Sequence, residues 1–156
     1  MSNSATSVRR RALVPKEVCP MAQAAEILGD KWTLLILREA FYGVQRYDDM
    51  LKDLGAPRSM LTDRLTKLVN NDLMKRRAYQ EAGDRVRYGY VLTEAGKGLA
   101  LTFIAMTQWG EEHLLKAKAP VHVVNRQSGA KLQVALVDGK KRPADAALAV
   151  LARRGK

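Results

Sequence analysis

Residues 55 to 77, GAPRSMLTDRLTKLVNNDLMKRR, determine the fold, because a glycine turn, an amphipathic helix and a basic strand follow one another there. Pro57 suits the first position of a helix, where its missing N–H costs nothing. Leu61, Leu65 and Leu68 then recur at i, i+4 and i+7. This spacing predicts a helix over residues 57 to 71 that turns its leucines to the core.

The other side of this helix carries flexible cations and short hydroxyls. The leucine spacing turns five side chains away from the core, namely those of Arg58, Ser59, Thr62, Arg64 and Lys67. The preceding stretch, YDDMLKDLG, predicts a short amphipathic helix that ends at a glycine. Two helices joined by a tight turn, with the second polar on its outside, are typical of a helix-turn-helix. Taken alone, the stretch also fits an ordinary solvated helix face.

Residues 73 to 93, LMKRRAYQEAGDRVRYGYVLT, predict two strands around a turn at EAGD. Alternation along the second strand separates Val86, Tyr88 and Tyr90 from Arg85 and Arg87, so the tip of the hairpin is basic. A helix able to enter a major groove, followed by a basic hairpin, forms a winged helix with two DNA-facing elements. The predicted class is therefore mainly α with a small β-hairpin wing (α+β).

The charge distribution supports this interpretation. The 156 residues carry 27 Lys and Arg against 16 Asp and Glu, a formal net charge of +11. The first 18 and last 38 residues hold +9 of this, while the middle is nearly balanced. Within the middle, residues 58 to 87 hold 8 cations against 4 anions, so the local excess lies on the predicted helix and wing.

Three parts of the chain differ in pattern. Residues 1 to 18 are polar and basic without periodicity and predict a flexible arm. Residues 19 to 118 predict one domain, which opens with a helix in PMAQAAEIL and a central, buried helix in DKWTLLILREAFYG, capped by Asp30. Residues 119 to 156 form an extension, in which VHVVN and LQVALVD could pair as a hairpin and RPADAALAVLARR as a short helix. Dimer support, added basic contacts and partial order all remain open for it.

A long helix gives a reason to expect a dimer. Thr93 suits an N-cap, and the apolar pattern continues to about Lys116, which is longer than a winged unit needs. Leu99, Phe103 and Met106 form one apolar stripe, and a second is formed by Leu101, Ile104, Ala105 and Trp109. If the first stripe packs on its own domain, the second needs a cover. A second subunit is one cover and the chain's own C-terminal tail is the other.

Several classes of function are not expected. One cysteine and two separated histidines make neither a disulfide framework nor a structural metal site, and we expect no cofactor. His113 and His122 stand outside any nucleophile or carboxylate constellation, and no phosphate-cradling glycine loop is present, so we do not expect an enzyme. No secretion signal or run of about 20 apolar residues occurs, which predicts a cytoplasmic protein without a membrane partner.

The order of the sequence blocks resembles the HxlR-type family of bacterial transcription regulators, which share the architecture of the MarR regulators. The similarity runs over residues 19 to 114, through CPMAQAAEILGDKWTLLILREAFYG, RYDDMLKDLGAPRSMLTDRLTKLVNNDLMKRR, RYGYVLTEAGKGL and QWGEEH. It implies a homodimer, joined through its N-terminal and long C-terminal helices, that binds operator DNA. It also implies that helix 57–71 is the recognition helix and hairpin 75–90 the wing. Ala56 departs from the pattern, since many relatives have a capping serine there.

A division of labour is expected on double-stranded operator DNA. Arg58 is the candidate for a guanine contact, and Ser59 and Thr62 offer hydrogen bonds or a methyl contact to thymine. Arg64, Lys67, Arg85 and Arg87 are candidates for phosphate contacts, although Arg64 could instead pair with Asp63 or Asp53. A twofold protein predicts a pseudo-palindromic operator with half-sites about one helical turn, or a multiple of it, apart.

Two inputs are open. Cys19 precedes Pro20 at a helix start, where the helix dipole favours a thiolate, and the family resemblance implies a switch operated by an oxidant or an electrophile. An inert buried cysteine is the alternative. A small-molecule effector is the other input, with no residue set to identify it. The alternative function is a protein interaction module that binds no specific DNA.

Overall fold

The computed structural model describes residues 14–80, 83, 85–117 and 119–144. Within these residues, a 3-10 turn at Lys16–Val18 precedes six helices and one hairpin. In chain order these are α1 (Pro20–Leu28), α2 (Lys31–Phe41), α3 (Tyr47–Leu54), α4 (Arg58–Asn70), β1 (Met74–Tyr79), β2 (Arg87–Leu92), α5 (Glu94–Gly98) and α6 (Ala100–His113). The predicted class is confirmed: the chain is mainly helical, with a two-stranded antiparallel hairpin. Most of the predicted arm lies outside the described residues.

The core forms where α2, α3, α4 and β1 meet. Its fully buried members are Ile36, Leu37, Met50, Leu61, Leu65, Leu68 and Met74. The three leucines of α4 are therefore buried as their spacing predicts. Burial of each leucine stabilises the fold by roughly 1.5–3 kcal/mol. The leucine face of α4 is therefore held against the core, and this fixes which sides of the helix remain outside it.

Helix α2 lies at the centre of the helical layer, as predicted, and packs on α1, α3, α4 and β2. Asp30 is its N-cap, with an extended backbone and a carboxylate that accepts hydrogen bonds from the N–H groups of Trp32 and Thr33. These bonds satisfy two of the N–H groups that a helix start leaves unpaired. The Asp30 side chain thus fixes the beginning of α2, and its carboxylate oxygens can accept further hydrogen bonds from other parts of the chain.

The predicted long C-terminal helix is wrong in its length and continuity. Thr93 does cap a helix by accepting from the N–H of Gly96, but that helix, α5, ends at Gly98. The N–H of Leu99 donates to the carbonyl of Gly96 in a tightened turn, and α6 then runs only to His113. Two glycines within three residues supply the reason, because glycine costs about 1 kcal/mol relative to alanine inside a helix.

The extension docks on α6 and is only partly the predicted hairpin. Val124 and Lys131 form an isolated bridge, with Asn125 N–H donating to the carbonyl of Ala130, rather than two regular strands. A second turn pairs Val137 with Pro143. That bridge occupies the start of the predicted helix, and the remainder, residues 145–156, lies outside the described residues.

Within the described part of the chain, none of the helices has the length and apolar content of a transmembrane span.

Candidate nucleic-acid interface

The turn between α3 and α4 sets the position of α4, the helix predicted to read DNA. Gly55 closes α3 in the left-handed region, at φ 59° and ψ 27°, and its N–H donates to the carbonyl of Leu51. A residue with a Cβ would be strained there. Ala56 is buried beside it, and Pro57, in extended conformation, is the N-cap of α4 and provides no side-chain cap. The helix itself begins at Arg58, one residue after the predicted start.

The first turn of α4 carries the side chains best placed for a ligand. Arg58 and Ser59 are both exposed. Among the described residues, the guanidinium of Arg58 takes part in no hydrogen bond or ion pair. Thr66 follows on the same outer side, about two helical turns after Ser59, and is also exposed. Thr66 was not among the predicted contacts, although its seven-residue distance from Ser59 was visible in the sequence.

Thr62 is less adaptable than the sequence suggested, because its hydroxyl is engaged within the protein. Its Oγ1 donates to the carbonyl oxygen of Arg58 at 3.0 Å. The hydroxyl of Tyr47, at the start of α3, donates to the same carbonyl at 3.0 Å and lies 3.2 Å from Thr62 Oγ1. Tyr47 therefore ties the first helix of the motif to the first turn of the second. Sequence reasoning missed this residue, whose partner lies eleven positions later.

Arg64 and Lys67 face a different part of the molecule from Arg58. The Nε of Arg64 donates to Oδ1 of Asp30 at 3.0 Å. The sequence offers Asp63 or Asp53 as its partner, and the structure shows Asp30 instead. The Nζ of Lys67 donates to the carbonyl of Glu26 at 2.8 Å. Both side chains are half-buried. The expectation that they point outward from α4 is corrected by these contacts, since the two residues lie on the flank nearest α1 and α2.

The electrostatics of Asp30 reflect this arrangement. Burial alone raises the pKa of its carboxyl, but hydrogen bonds from the Thr33 side chain, the Thr33 N–H and Arg64 outweigh burial and hold the pKa below its ordinary value. The Asp30 carboxylate is therefore stabilised in its charged form by Thr33, in the first turn of α2, and by Arg64 of α4.

The wing pairs in the register Met74 to Leu92 through Tyr79 to Arg87. Arg87 is the first residue of β2, and Arg85 lies in the preceding loop rather than in the strand, so the second strand starts later than the alternation predicted. Both arginines are exposed near the tip, where the sequence placed the basic end of the hairpin. Arg76, closer to the base, lies over the ring of Tyr88 with 4.6 Å between the guanidinium carbon and the ring centroid.

The base of the wing is anchored to the segment that leads into α3. Gln45 accepts the N–H of Tyr90 at its carbonyl, at 2.7 Å, and its side-chain oxygen accepts from Arg77. Arg46 forms an isolated bridge with Gly89 and lies 5.2 Å from the centroid of the Tyr79 ring. The hairpin and the helix-turn-helix are therefore held together at this segment, which the sequence did not reveal.

Among the described residues, one apolar side of helix α6 is exposed. Leu101 and Trp109 are 67% and 57% exposed, and Ala105 is exposed as well. Ala105 and Trp109 line a groove of about 420 Å³ together with Met106, Gly110 and Leu114. Met106 thus belongs to the uncovered side and not to the home stripe that the sequence assigned.

The side of α6 that packs on its own domain is formed by Phe103, together with Leu99 at the N-cap, and the Phe103 ring centroid lies 5.1 Å from that of Phe41. Ile104, predicted for the interface, is half-buried beside Phe41 and Val123 of the extension. The side-chain amide of Gln108 pairs with the backbone of Val134 in both directions. The extension therefore covers the Ile104 side of α6, while Leu101 and Trp109 stay exposed.

Cys19 lies at the N-cap of α1, directly before Pro20, as the sequence predicted. It is half-buried and in no disulfide, and its side chain makes no capping hydrogen bond.

Comparison with known proteins identifies the family. The sequence profile of the HxlR-like helix-turn-helix family matches residues 27–118, which is more than half of the chain. This chain belongs to the HxlR-like helix-turn-helix family. The match covers α2 to α6, and thus the helix-turn-helix and the wing described above. The resemblance inferred from the sequence blocks is confirmed.

Three relatives show how far the HxlR-like similarity extends. The uncharacterised HTH-type transcriptional regulator Rv3095 of Mycobacterium tuberculosis is 43% identical over 100 residues, which span 64% of this chain and 62% of that protein. The structure of PA1607, a candidate transcription factor, superposes with a TM-score of 0.76 at 30% identity over 88% of this chain and 96% of that one. The reduced form of the transcriptional regulator YodB of Bacillus subtilis superposes with a TM-score of 0.53 at 27% identity, over 64% and 98%.

The two solved structures are similar to different shares of this chain. The YodB similarity spans about as much of this chain as residues 19 to 118 do, whereas the PA1607 similarity extends beyond them. The relatives carry names of transcriptional regulators and not of enzymes, in agreement with the expectation from the sequence.

Proposed function

We propose that the protein is a transcriptional regulator that binds operator DNA with α4 in the major groove and the wing against the adjacent backbone. The observation that carries this proposal is the first turn of α4, where Arg58 and Ser59 are exposed and the Arg58 guanidinium has no partner among the described residues. The core leucines and Tyr47 fix the orientation of that turn. A fixed helix end with an unengaged arginine is what base-edge recognition requires.

The contacts divide by chemistry. Arg58 can bind a guanine edge with two hydrogen bonds, and Ser59 can donate or accept. Thr62 donates its hydroxyl proton inside the helix, so it offers its methyl group or its hydroxyl oxygen as an acceptor. Arg85 and Arg87, exposed near the wing tip, are proposed for phosphate contacts, which position the protein without reading sequence.

The regulator is proposed to be a homodimer through α6. The uncovered side of this helix carries Leu101, Ala105 and Trp109, and the extension leaves this side open. Exposed apolar side chains along one helix face favour a twofold contact, in which the same surface of each subunit meets the other. Two recognition helices related in this way require a pseudo-palindromic operator.

Selection of bound duplexes from a randomised DNA pool tests this proposal directly, with purified, reduced protein at near-physiological salt. An inverted repeat with half-sites about one helical turn or a multiple of it apart is expected. Binding without a shared sequence, lost as salt rises, would overturn the proposal and favour the protein interaction module instead.

The dimer has a test of its own. Trp109→Glu places a charge on the uncovered side of α6, and we expect light scattering at micromolar concentration to change from twice the chain mass to one chain mass. Thr107→Glu is the matched control, since Thr107 is exposed on the same helix. A wild-type protein of one chain mass would contradict the homodimer.

The proposed input is oxidation or electrophile attack at Cys19. Support comes from its place at the N-cap of a helix and from similarity to YodB, whose structure was determined in a reduced form. We expect an oxidant to release the operator from the wild type but not from Cys19→Ser. If Cys19 is labelled more slowly than the thiol of a free peptide and oxidant leaves binding unchanged, a small-molecule effector becomes the input to seek.

A further inference from the structure

The flank of α4 opposite Tyr47 holds the corner at which α1 ends and α2 begins. This α1–α2 corner comprises residues 26 to 33. It is tight, since a Cβ built on Gly29 would lie 2.4 Å from the carbonyl oxygen of Ala25. Both elements of the corner end in polar groups that need partners, namely the last carbonyls of α1 and the first N–H groups of α2.

Lys67 satisfies one end of the α1–α2 corner. Its ammonium donates to the carbonyl of Glu26, in the last turn of α1. That carbonyl is among the last four of the helix, which have no partner within it. A cation at this end also interacts favourably with the negative end of the helix dipole. Lys67 therefore caps α1 from a helix 41 residues further along the chain.

Arg64 holds the other end of the corner. Its Nε donates to the Oδ1 atom of Asp30, the same oxygen that accepts the N–H groups of Trp32 and Thr33 at 3.1 Å each. Thr33, whose side chain is fully buried, donates its hydroxyl to the second carboxylate oxygen. One carboxylate thus caps α2 and binds α4, so any movement of Arg64 is opposed by the start of the central helix.

We propose that Arg64 and Lys67 are positioning residues, which fix the recognition helix on the α1–α2 corner so that Arg58 enters the groove at one angle. The proposal rests on the proposed DNA-binding function and replaces the phosphate contacts expected of these two residues. Arg64 lies six residues after Arg58, and the two positions are about 120° apart around the helix axis, so the two side chains leave α4 on different sides. To reach a phosphate, Arg64 would have to leave a half-buried carboxylate that is held in its charged form.

Removing the negative charge of Asp30 distinguishes the two possible roles of Arg64, which are contact with a phosphate and positioning of α4. Asp30→Asn keeps an oxygen that can cap α2 but weakens the bond to Arg64. If Arg64 contacted phosphate, the loss of a nearby anion would leave operator binding unchanged or strengthen it. If Arg64 positions α4, we expect Asp30→Asn to weaken binding about three- to tenfold, the effect of losing roughly one hydrogen bond.

The experiment is a double-mutant cycle with Asp30→Asn and Arg64→Gln on the selected operator, repeated over a range of salt concentrations. Positioning predicts that each single variant weakens binding, that the double variant is no weaker than the worse single variant, and that the salt slope stays at the wild-type value. Tighter binding by Asp30→Asn would overturn the proposal, and so would a salt slope reduced by about 0.9 for each phosphate that Arg64→Gln leaves unbound. Arg64→Lys retains a cationic donor, and partial recovery is expected.

Lys67→Met extends the test to the other end of the α1–α2 corner. It removes the donor to Glu26 while keeping a long side chain of similar shape. Weaker binding at an unchanged salt slope is expected. A reduced slope would mean that Lys67 touches phosphate and would overturn its positioning role.

A measurement without DNA separates a failure of this proposal from a failure of the proposed function. Arg64→Gln should speed hydrogen exchange at the N–H groups of Trp32 and Thr33, which depend on the Asp30 carboxylate. The N–H of Ser128, held at 2.9 Å by Asn125 Oδ1 in the extension, is the internal control and should not change. If the wild type bound no duplex, the regulator proposal would be wrong whatever the exchange rates are. If Arg64→Gln left exchange at Trp32 and Thr33 unchanged, the positioning proposal would be wrong even for a protein that binds its operator.

Discussion

The two flanks of α4 carry similar cations, but their surroundings differ. On one flank, Arg58 is exposed and its guanidinium has no partner among the described residues, while its carbonyl is held by Tyr47 and Thr62. On the other, Arg64 and Lys67 are half-buried and bound to Asp30 and Glu26. A charged side chain on a recognition helix is therefore a candidate for DNA contact only when its own fold leaves it unengaged. We propose that the Arg58 flank reads DNA while the flank with Arg64 and Lys67 holds α4 in position.

The largest effect is expected between the two flanks, on the buried face of the same helix. Leu65→Ala removes a fully buried side chain and should lower the free energy of unfolding by about 2–5 kcal/mol. Thr66→Ala, one position later on the exposed side, should change it by less than about 0.5 kcal/mol. Urea denaturation measures both. Similar values for the two variants would contradict the orientation of α4.

Arg58→Ala tests the free flank. We expect it to weaken operator binding by about 1–3 kcal/mol and to relax the preference at one base pair of each half-site. Arg58→Lys, which keeps the charge but not the paired donors, should lose the preference and retain part of the affinity. Repeating the duplex selection with both variants measures this. An unchanged base preference in Arg58→Ala would assign Arg58 to phosphate.

The wing provides the electrostatic counterpart. The variant Arg85→Ala/Arg87→Ala should flatten the dependence of log affinity on log salt by about 0.9 for each phosphate that is no longer bound, without changing the selected sequence. Lys52→Ala, which removes an exposed cation from the last turn of α3, is the control for a change in overall charge. If the double variant keeps the wild-type salt slope, the tip of the hairpin does not touch the DNA backbone.

The smallest effect is expected from acidification at the fixed flank. The pKa of Asp30 is lowered in the folded protein, because its hydrogen bonds outweigh the effect of burial. The stability it contributes is therefore present above the ordinary aspartate pKa and is lost as the pH falls through that value to the folded-state pKa. The stability difference between wild type and Asp30→Asn should shrink from pH 7 to about pH 3 in urea unfolding. A difference that stays constant would mean that the carboxylate charge does not stabilise the corner.

The sequence predicted the helix-turn-helix and the wing because their signals are local. Each signal lies within a short stretch of sequence, namely the leucine spacing in α4, Gly55 after α3 and the alternation in the hairpin. The partner of Arg64 could not be predicted in this way, since Asp30 lies 34 residues earlier and the nearer Asp63 and Asp53 were equally plausible on charge alone. Pairing between distant elements depends on how α2 packs against α4, which no local pattern encodes.

Three other differences between prediction and structure involve residues whose pattern is visible in the sequence but does not decide the outcome alone. Gly96 and Gly98 stand in the sequence, and together they account for the break before α6. Met106 is apolar and correctly spaced for either stripe, so only the packing of Phe103 on Phe41 decides which side faces home. The strand-like segments of the extension carry valines at suitable spacing, yet only isolated bridges form at Val124 and Val137.

The most direct measurement is the crystal structure of the protein bound to its selected operator. We predict that the Arg58 guanidinium lies within hydrogen-bond distance of a base edge in the major groove. We also predict that Arg64 stays on Asp30 and Lys67 on the carbonyl of Glu26, as in the free protein. Arg64 or Lys67 turned onto phosphate oxygens, with the α1–α2 corner released, would contradict the assignment of one flank to reading and the other to positioning.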